Sequence, residues 1–171
     1  MTTDSSSEAS LQDHTPADRA PRPSPLVLLV GSGLFSGYSP FASGTVGSAV
    51  AVVLYWFIPG FSEWLPLAAA SLLFLLAGFP IASAMERHYG KDPSEVVLDE
   101  VVGQWIALLL LPKIWYIAAA SFFLFRFFDI IKPPPARQFD RMHGGFGIMM
   151  DDVAAGVYAN LVLQALLFVT A

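Results

Sequence analysis

The sequence predicts an all-α membrane protein, a polytopic bundle of about five apolar helices with one or two short or re-entrant members and a disordered N-terminal tail. Hydrophobic residues make up 55% of the 171 residues and charged residues only 13%, about half the charged share of a typical soluble domain. The mean hydropathy is +0.59. The apolar residues also lie in five long runs. This pattern excludes a disordered protein, a coiled coil and most soluble enzymes.

Charge and cysteine content exclude further classes of protein. Nine Lys and Arg against fourteen Asp and Glu give a net charge of −5, so we expect no basic face and no nucleic-acid partner. The chain contains no cysteine, which excludes disulfides, zinc–thiolate sites and thiol nucleophiles.

The chain divides into a tail, residues 1–25, and a membrane-embedded domain, residues 26–171. The tail is rich in Ser, Thr, Ala and Pro and has too few apolar residues to form a core, which predicts disorder. A cleaved signal peptide is the alternative. It needs a basic segment before a continuous apolar stretch, whereas the region ahead of Leu26 is net acidic and the run Leu26–Val30 stops at Gly31.

The first two runs differ in regularity. Residues 31–47 are rich in Gly and Ser, which indicates a loop or a broken helix. Residues 46–58 form a continuous apolar helix candidate that ends at Pro59. Residues 64–85 are 22 uncharged residues, close to the roughly 20 that span a bilayer core. Pro80 is expected to kink this second helix.

The last three runs are shorter or interrupted. Residues 101–112 would form a helix about 18 Å long, short for a core of about 30 Å, so we expect a re-entrant or deeply packed helix. The fourth run, residues 114–131, carries Arg126 and Asp129 near its end. The fifth, residues 153–171, is uncharged.

Alternating crossings place the tail and the polar segments 86–100 and 132–152 on one side of the membrane. Eight of the nine Lys and Arg residues lie on that side: Arg19, Arg22, Arg87, Lys91, Arg126, Lys132, Arg137 and Arg141. Only Lys113 lies opposite. Because cytoplasmic loops are enriched in Lys and Arg, we expect this side to be cytoplasmic.

The same topology gathers seven ionisable residues at the cytoplasmic helix ends: Asp99, Glu100, Arg126, Asp129, Lys132, Asp151 and Asp152. Arg126, Asp129 and Lys132 are three apart and could share one helix face. Ionisable groups beside an apolar bundle are typical of a functional site. Two simpler explanations compete: snorkelling of basic side chains at a helix end, and acids that begin a helix and complement its dipole.

These residue types indicate metal and phosphate chemistry. Close carboxylates repel one another unless a cation compensates, and carboxylate oxygens suit Mg²⁺, which also binds substrate phosphate. We therefore predict Mg²⁺ as the cofactor, with five ligands: Asp99, Glu100, Asp129, Asp151 and Asp152. Arg126 and Lys132 are predicted to bind phosphate, Arg through its planar fork and Lys as a point charge.

The Gly- and Ser-rich segment, residues 31–48, is a second candidate for anion binding. It is not a P-loop, because no Lys follows the Gly before Thr45, and no strand precedes it as a dinucleotide fingerprint requires. Free N–H groups at a helix start bind anions, so Gly44, Thr45 and Ser48 are candidate phosphate-binding residues. A kinked helix or tight packing of small residues explains the segment equally well.

Four blocks of residues occur in a particular order and spacing: Gly33-x-x-x-Gly37-x-x-Pro40-x-x-x-Gly44-Thr45-x-Gly47-Ser48, then Asp99-Glu100-x-x-Gly103, then Phe125-Arg126-x-x-Asp129-x-x-Lys132-Pro133-x-Pro135, then His143-Gly144-Gly145-x-Gly147-Ile148-Met149-x-Asp151-Asp152-x-x-Ala155-Gly156. Each block alone is a weak signal. Together they make the chain resemble the phosphatidylglycerophosphatase A family over roughly residues 26–171.

The resemblance implies a Mg²⁺-dependent phosphatase of the bacterial inner membrane, multi-pass, with its active site facing the cytoplasm. Its substrate would be phosphatidylglycerophosphate, hydrolysed to phosphatidylglycerol and phosphate in phospholipid biosynthesis. Two positions depart from the family's usual pattern: Ser43 stands where Pro usually precedes Gly-Thr, and Leu98 where Trp is often found. The first change makes the turn less rigid and the second affects packing, and neither removes a chemical group.

The nucleophile and the oligomeric state stay open at this point. We favour attack by a water activated at the metal, with an acid among Asp99, Glu100 and Asp129 as the catalytic base. A covalent aspartyl-phosphate is the alternative.

A small ion transporter or channel is the main alternative function, since buried acids also coordinate permeating cations. Such a protein does not need Arg126 and Lys132 beside its acids. It would also place its ionisable groups near the bilayer midplane, whereas here they lie at helix ends. A structural membrane subunit would leave the paired acids unexplained. Release of phosphate from lipid monoesters, with and without EDTA, separates these functions.

Overall fold

A computed structural model describes residues 21–170 of the protein, so most of the predicted tail, residues 1–25, lies outside the described residues. Seven α-helices follow one another there: α1 (Pro25–Gly31), α2 (Ser43–Phe57), α3 (Trp64–Tyr89), α4 (Leu98–Leu108), α5 (Trp115–Ile131), α6 (Ala136–Asp140) and α7 (Gly145–Thr170). The same residues contain no strand. The all-α prediction is confirmed.

Two of the helices within residues 21–170 are long and apolar enough to cross a membrane, α3 and α7. Each has 26 residues, about 39 Å of helix, and α3 continues through Pro80. The helices α2 and α5 are shorter, with 15 and 17 residues. The structure therefore supports a membrane protein with two candidate spans, and the larger number of about five apolar helices, one or two of them short or re-entrant, stays a prediction.

The short helix α4 lies in the middle of the bundle, where it packs against α2, α3, α5 and α7. It has 11 residues, and nearly all of them are buried. Trp105 anchors it: the indole packs edge-on against Phe61 and Phe74, and its Nε1 donates to the carbonyl of Ala51 at 3.0 Å. Of the two expectations for this run, deep packing is the one observed.

The last helix begins earlier than the sequence predicts. The apolar run 153–171 indicated a start after Asp152, whereas α7 begins at Gly145. The sequence predicted that Asp151 and Asp152 begin this helix. They lie instead about two turns inside it and are buried. An explanation of this pair by helix-dipole complementation is correspondingly weakened, because that effect falls off within the first turn.

Helix α3 explains the early start of α7. The amide of Gly144 donates to Glu86 Oε2 and that of Gly145 donates to Ser83 Oγ, both at 2.7 Å. These side chains accept hydrogen bonds from N–H groups that a capping residue next in sequence would otherwise satisfy. A Cβ on Gly145 would lie 2.0 Å from the carbonyl oxygen of Phe79, so only glycine fits this contact.

Two glycines bring α4 and α7 close together. A Cβ on Gly156 would lie 2.3 Å from the carbonyl oxygen of Gly103, and a Cβ on Gly103 would lie 2.7 Å from the carbonyl oxygen of Asp152. Small residues permit such close backbone approach between helices in membranes. The crossing holds the acids at the start of α4 beside those of α7.

Candidate active site

Five carboxylates from three helices meet at one end of the bundle, and we call them the acid cluster: Asp99, Glu100, Asp129, Asp151 and Asp152. Ligand atoms within 4.8 Å of one another form two groups of three. The first group is Asp99, Glu100 and Asp152, and the second is Asp129, Asp151 and Asp152. Asp152 belongs to both groups. The structure thus brings together every residue predicted to bind the metal.

Several oxygens of the cluster have no hydrogen-bond partner although they are buried. They are Asp99 Oδ1, Glu100 Oε2 and Asp152 Oδ2. The exposed fraction is 8% for Asp99 and 3% for Asp152. Native proteins rarely leave buried carboxylate oxygens unpaired, because the lost hydration is costly. These atoms fit a bound cation, which is the partner that such a donor set favours.

Electrostatics at the start of α4 support the same interpretation. Burial raises the pKa of Asp99 well above its usual range, and the neighbouring Glu100 carboxylate adds to the shift. Burial also raises the pKa of Glu100 to about 8. Both acids lie in the first turn of α4. A divalent cation would reverse this shift and keep both groups ionised.

Arg126 lies on α5 and contacts one acid from each group. Its Nη1 is 2.8 Å from Asp129 Oδ2 and 4.0 Å from Glu100 Oε1. The side chain is 17% exposed, and its Nε is buried without a hydrogen-bond partner. Because Arg126 is turned inward and paired, snorkelling does not explain it. An unused, buried N–H beside a fork of donors suits a phosphate oxygen.

Lys132 lies just past the end of α5, with a left-handed backbone conformation of φ +48°. It does not continue the predicted stripe with Arg126 and Asp129. Its Nζ donates to Asp140 and to Asp151. Burial by itself lowers the pKa of Lys132, but these two hydrogen bonds outweigh it and raise the pKa above its usual value.

Asp140, on α6, is a member of the site that the sequence did not indicate. It lies in a segment that the sequence predicted to be a polar loop, and it reaches Lys132 only because α6 folds back against α7. A spacing of eight residues between Lys132 and Asp140 carries no signal of its own. Only a prediction of a helix over residues 136–140 could have indicated that Asp140 turns back toward the site.

The structure separates the two interpretations of the Gly-rich segment. A Cβ on Gly37 would lie 2.3 Å from the Glu95 carbonyl oxygen, and one on Gly47 would lie 2.8 Å from Val97 Cβ. These glycines serve close packing. Gly44 is different, since a Cβ there would lie 2.3 Å from Glu100 Oε1 and 3.0 Å from Arg126 Nη1.

The other two candidate phosphate ligands lie on the same first turns of α2. Thr45 is exposed. Ser48 is buried, and its hydroxyl donates to the carbonyl of Gly44 at 2.8 Å, a bond inside the helix. Of Gly44, Thr45 and Ser48, only Gly44 is shown in contact with the charged residues, and a phosphate role for the other two stays a prediction.

These features define a class of protein: a helical membrane protein whose helices bring buried carboxylates together beside two cations. The family model for phosphatidylglycerophosphatase A matches residues 29–167. The chain belongs to this family, and with it to the phosphatases that act on phosphate monoesters.

Three relatives cover most of the chain. Phosphatidylglycerophosphatase A of Escherichia coli is 38% identical over 138 residues, 79% of this chain and 80% of that protein. The protein of the same name from Haemophilus influenzae is 38% identical over 141 residues, 81% of this chain and 86% of that protein. A protein of Bacteroides thetaiotaomicron, provisionally named a phosphatidylinositol-3-phosphatase, is 46% identical over 150 residues, 83% of this chain and 94% of that protein. No solved structure matches the chain.

Proposed function

We propose that the protein is a Mg²⁺-dependent phosphatidylglycerophosphatase that releases phosphate from phosphatidylglycerophosphate and leaves phosphatidylglycerol, as a step of phospholipid biosynthesis. The observation that carries the proposal is the acid cluster with unpartnered buried oxygens beside Arg126, in a chain whose relatives bear this name. An ion transporter would have no use for a buried arginine with an open donor at the site.

The charge of the site supports the metal and indicates how many ions it takes. The five ionised carboxylates of the acid cluster and Asp140, with Arg126 and Lys132, carry a net charge of −4. One Mg²⁺ leaves −2, which still repels a phosphate monoester, whereas two leave the site neutral. The two groups of acids that share Asp152 provide a place for each ion. We therefore propose two Mg²⁺ ions, one in each group.

The reaction is hydrolysis at phosphorus. A water oxygen forms the new P–O bond, the bond to the lipid glycerol oxygen breaks, and that oxygen is protonated to the alcohol. When bound, Mg²⁺ supplies charge neutralisation and polarises the phosphoryl oxygen. Arg126 would hold the phosphate through its fork. An acid among Asp99, Glu100 and Asp129 would accept the water proton.

The orientation of the site in the membrane follows from the basic residues. Eight of nine Lys and Arg lie on the side of the acid cluster in the predicted topology, which supports a cytoplasmic active site in a multi-pass protein of the bacterial inner membrane. The head group of a lipid monoester lies at that depth.

Phosphatidylinositol 3-phosphate is a second candidate substrate, favoured by the name of the Bacteroides relative. Both lipids present a phosphate monoester on a diacylglycerophospholipid. The site residues described above would contact the phosphate, which both lipids carry, and so do not distinguish the two head groups.

The test is phosphate release by the purified, detergent-solubilised protein from each of the two lipids, with and without EDTA. We expect release from phosphatidylglycerophosphate that EDTA abolishes and Mg²⁺ restores. Preference for the inositol lipid would reassign the substrate, and no release from either would refute the proposal.

A direct binding measurement tests the metal separately from activity. Titration of the metal-free protein with Mn²⁺, followed by electron paramagnetic resonance, should give two bound ions per chain. Asp152→Asn should lose most of this binding, whereas Asp18→Asn in the tail, a matched change of Asp to Asn, should keep both ions. A single bound ion would contradict the proposed pair.

A further inference from the structure

An apolar groove lies between α2 and α5 on the outer surface of the bundle. Its volume is about 430 Å³, within the range of small-molecule sites. It has only apolar lining residues, among them Ala49, Val53 and Trp56 from α2 and Trp115, Ala119 and Phe122 from α5. Nothing in the chemistry described above uses this groove.

The groove leads directly to the acid cluster. The two helices run in opposite directions, so that Gly44 at the start of α2 meets Arg126 near the end of α5. Ala49 lies five residues after Gly44, about 7 Å along the helix, and Phe123 lies three residues before Arg126, about 5 Å along it. From there the groove runs away from the charged residues for about 12 Å, to Phe57.

The groove is open along its side. Its rim residues are among the most exposed large apolar side chains, with Phe57 76%, Trp115 72% and Phe123 70% exposed. An apolar surface of this kind is typical of contact with a lipid or a partner. A chain of methylenes can enter it sideways from the bilayer while its polar end stays at the cluster.

The names of the relatives indicate what the occupant is. They disagree on the head group, glycerophosphate in two and inositol phosphate in the third, and agree on the phosphatidyl part. We propose that the α2–α5 groove binds an acyl chain of the lipid whose phosphate lies at the acid cluster. This inference rests on the proposed function. It makes the groove, with the cluster, the feature that selects a lipid phosphate over a water-soluble one.

A tryptophan at Ala49 tests the groove with a matched control. Ala49→Trp fills the end nearest the cluster, and Ala69→Trp makes the same change at an exposed position of α3. We compare diacyl phosphatidylglycerophosphate with its deacylated counterpart, which has the same phosphate. Exclusion of two or three methylenes from apolar contact should lower kcat/KM for the diacyl lipid at least about tenfold, mainly through KM. For the deacylated substrate, Ala49→Trp should change kcat/KM less than twofold. Ala69→Trp should change kcat/KM less than twofold for either substrate.

Photolabelling gives a readout that needs no turnover. A lipid monophosphate with a photoreactive acyl chain should label peptides of α2 and α5 in the wild type and not in Ala49→Trp. Excess unlabelled lipid monophosphate should suppress the label, and phosphatidylcholine should not. Suppression by both lipids equally would assign the groove to bulk bilayer lipid and overturn the inference. Labelling that succeeds in a protein without phosphatase activity would refute the proposed function and leave the groove standing.

Discussion

The acid cluster has two cations, and their surroundings differ. Arg126 sits within a regular helix, beside Asp129 and near Glu100, with a buried Nε that has no partner. Lys132 sits past the helix end, in a left-handed conformation, with hydrogen bonds to Asp140 and Asp151. The first has bonding capacity left, while two of the three donors of the second are already used.

This difference separates two tasks that the sequence could not tell apart. A group that binds substrate must keep donors free until the substrate arrives, which describes Arg126. A group that holds a carboxylate in place has its donors engaged in the folded protein, which describes Lys132. We expect Arg126 to govern turnover, and Lys132 chiefly to fix Asp151. The predictions below test this division, from the largest expected effect to the smallest.

Asp152→Asn should have the largest effect, because Asp152 belongs to both groups of acids. Loss of one charged oxygen keeps the shape of the side chain and removes a ligand from each group. Turnover should fall about 10²–10³-fold, and the remaining activity should require more Mg²⁺. Asp129→Asn, which touches the second group only, should fall about 10²-fold with a smaller shift in the Mg²⁺ requirement. Steady-state kinetics across a series of Mg²⁺ concentrations measures both effects. The same dependence of turnover on Mg²⁺ in the wild type and both variants would contradict the assignment of these acids as metal ligands.

Arg126→Lys should lower turnover by about 10²-fold without changing the Mg²⁺ requirement. The charge is retained, but the planar fork that holds a phosphate at two points is lost. Inhibition by inorganic phosphate should weaken in parallel. If the folded variant turns over normally, the unpartnered Nε has no role in substrate binding. The assignment of substrate binding to Arg126 would then be wrong.

Gly44→Ala should lower turnover at least about tenfold, because a Cβ there would lie 2.3 Å from Glu100 Oε1 and displace it or Arg126. Gly47→Ala is the matched control one turn along the helix, where the Cβ would meet Val97. It should lower the thermal unfolding temperature and leave the turnover of folded protein near normal. Equal losses of turnover in the two variants would show that Gly44, too, serves packing only.

Much of the fold could be predicted from residue pattern alone. The break at Gly31 and the end of α2 near Pro59 were predicted from local signals, since glycine and proline act through the backbone. The start of α7 could not be predicted, because Ser83 and Glu86 of another helix cap it. Pattern reasoning also left two possibilities for the run 101–112, a re-entrant or a deeply packed helix, and only the structure shows that α4 is a buried core helix.

The candidate site shows the same limit. The acids and Arg126 were identified from residue type and order, because the helix ends that carry them converge in any antiparallel bundle. Asp140 was missed. Gly44 was named as a candidate phosphate-binding residue, but the sequence could not show that Gly37 and Gly47 in the same segment serve packing instead. What separates these glycines is the neighbour each would strike, a backbone or valine in two cases and a charged pair in the third, and neighbours across helices have no signature in a single sequence.

The smallest effect on turnover is expected from Lys132→Met, and it tests the other side of the comparison. The variant keeps most of the length of the side chain but leaves Asp140 and Asp151 without their shared donor. An unpaired, largely buried carboxylate costs about 1–3 kcal/mol of stability, so the thermal unfolding temperature in detergent should drop clearly. Turnover of the protein that stays folded should fall only a few-fold, since Asp151 can still reach a cation. Asp140→Asn is the control: Lys132 keeps Asp151, and both stability and turnover should stay close to the wild type. A folded Lys132→Met protein with a 10²-fold loss and normal stability would show that the third donor of Lys132 contacts the phosphate. In that case both cations bind substrate, as the sequence alone indicated, and the contrast between them does not extend to the complex with substrate.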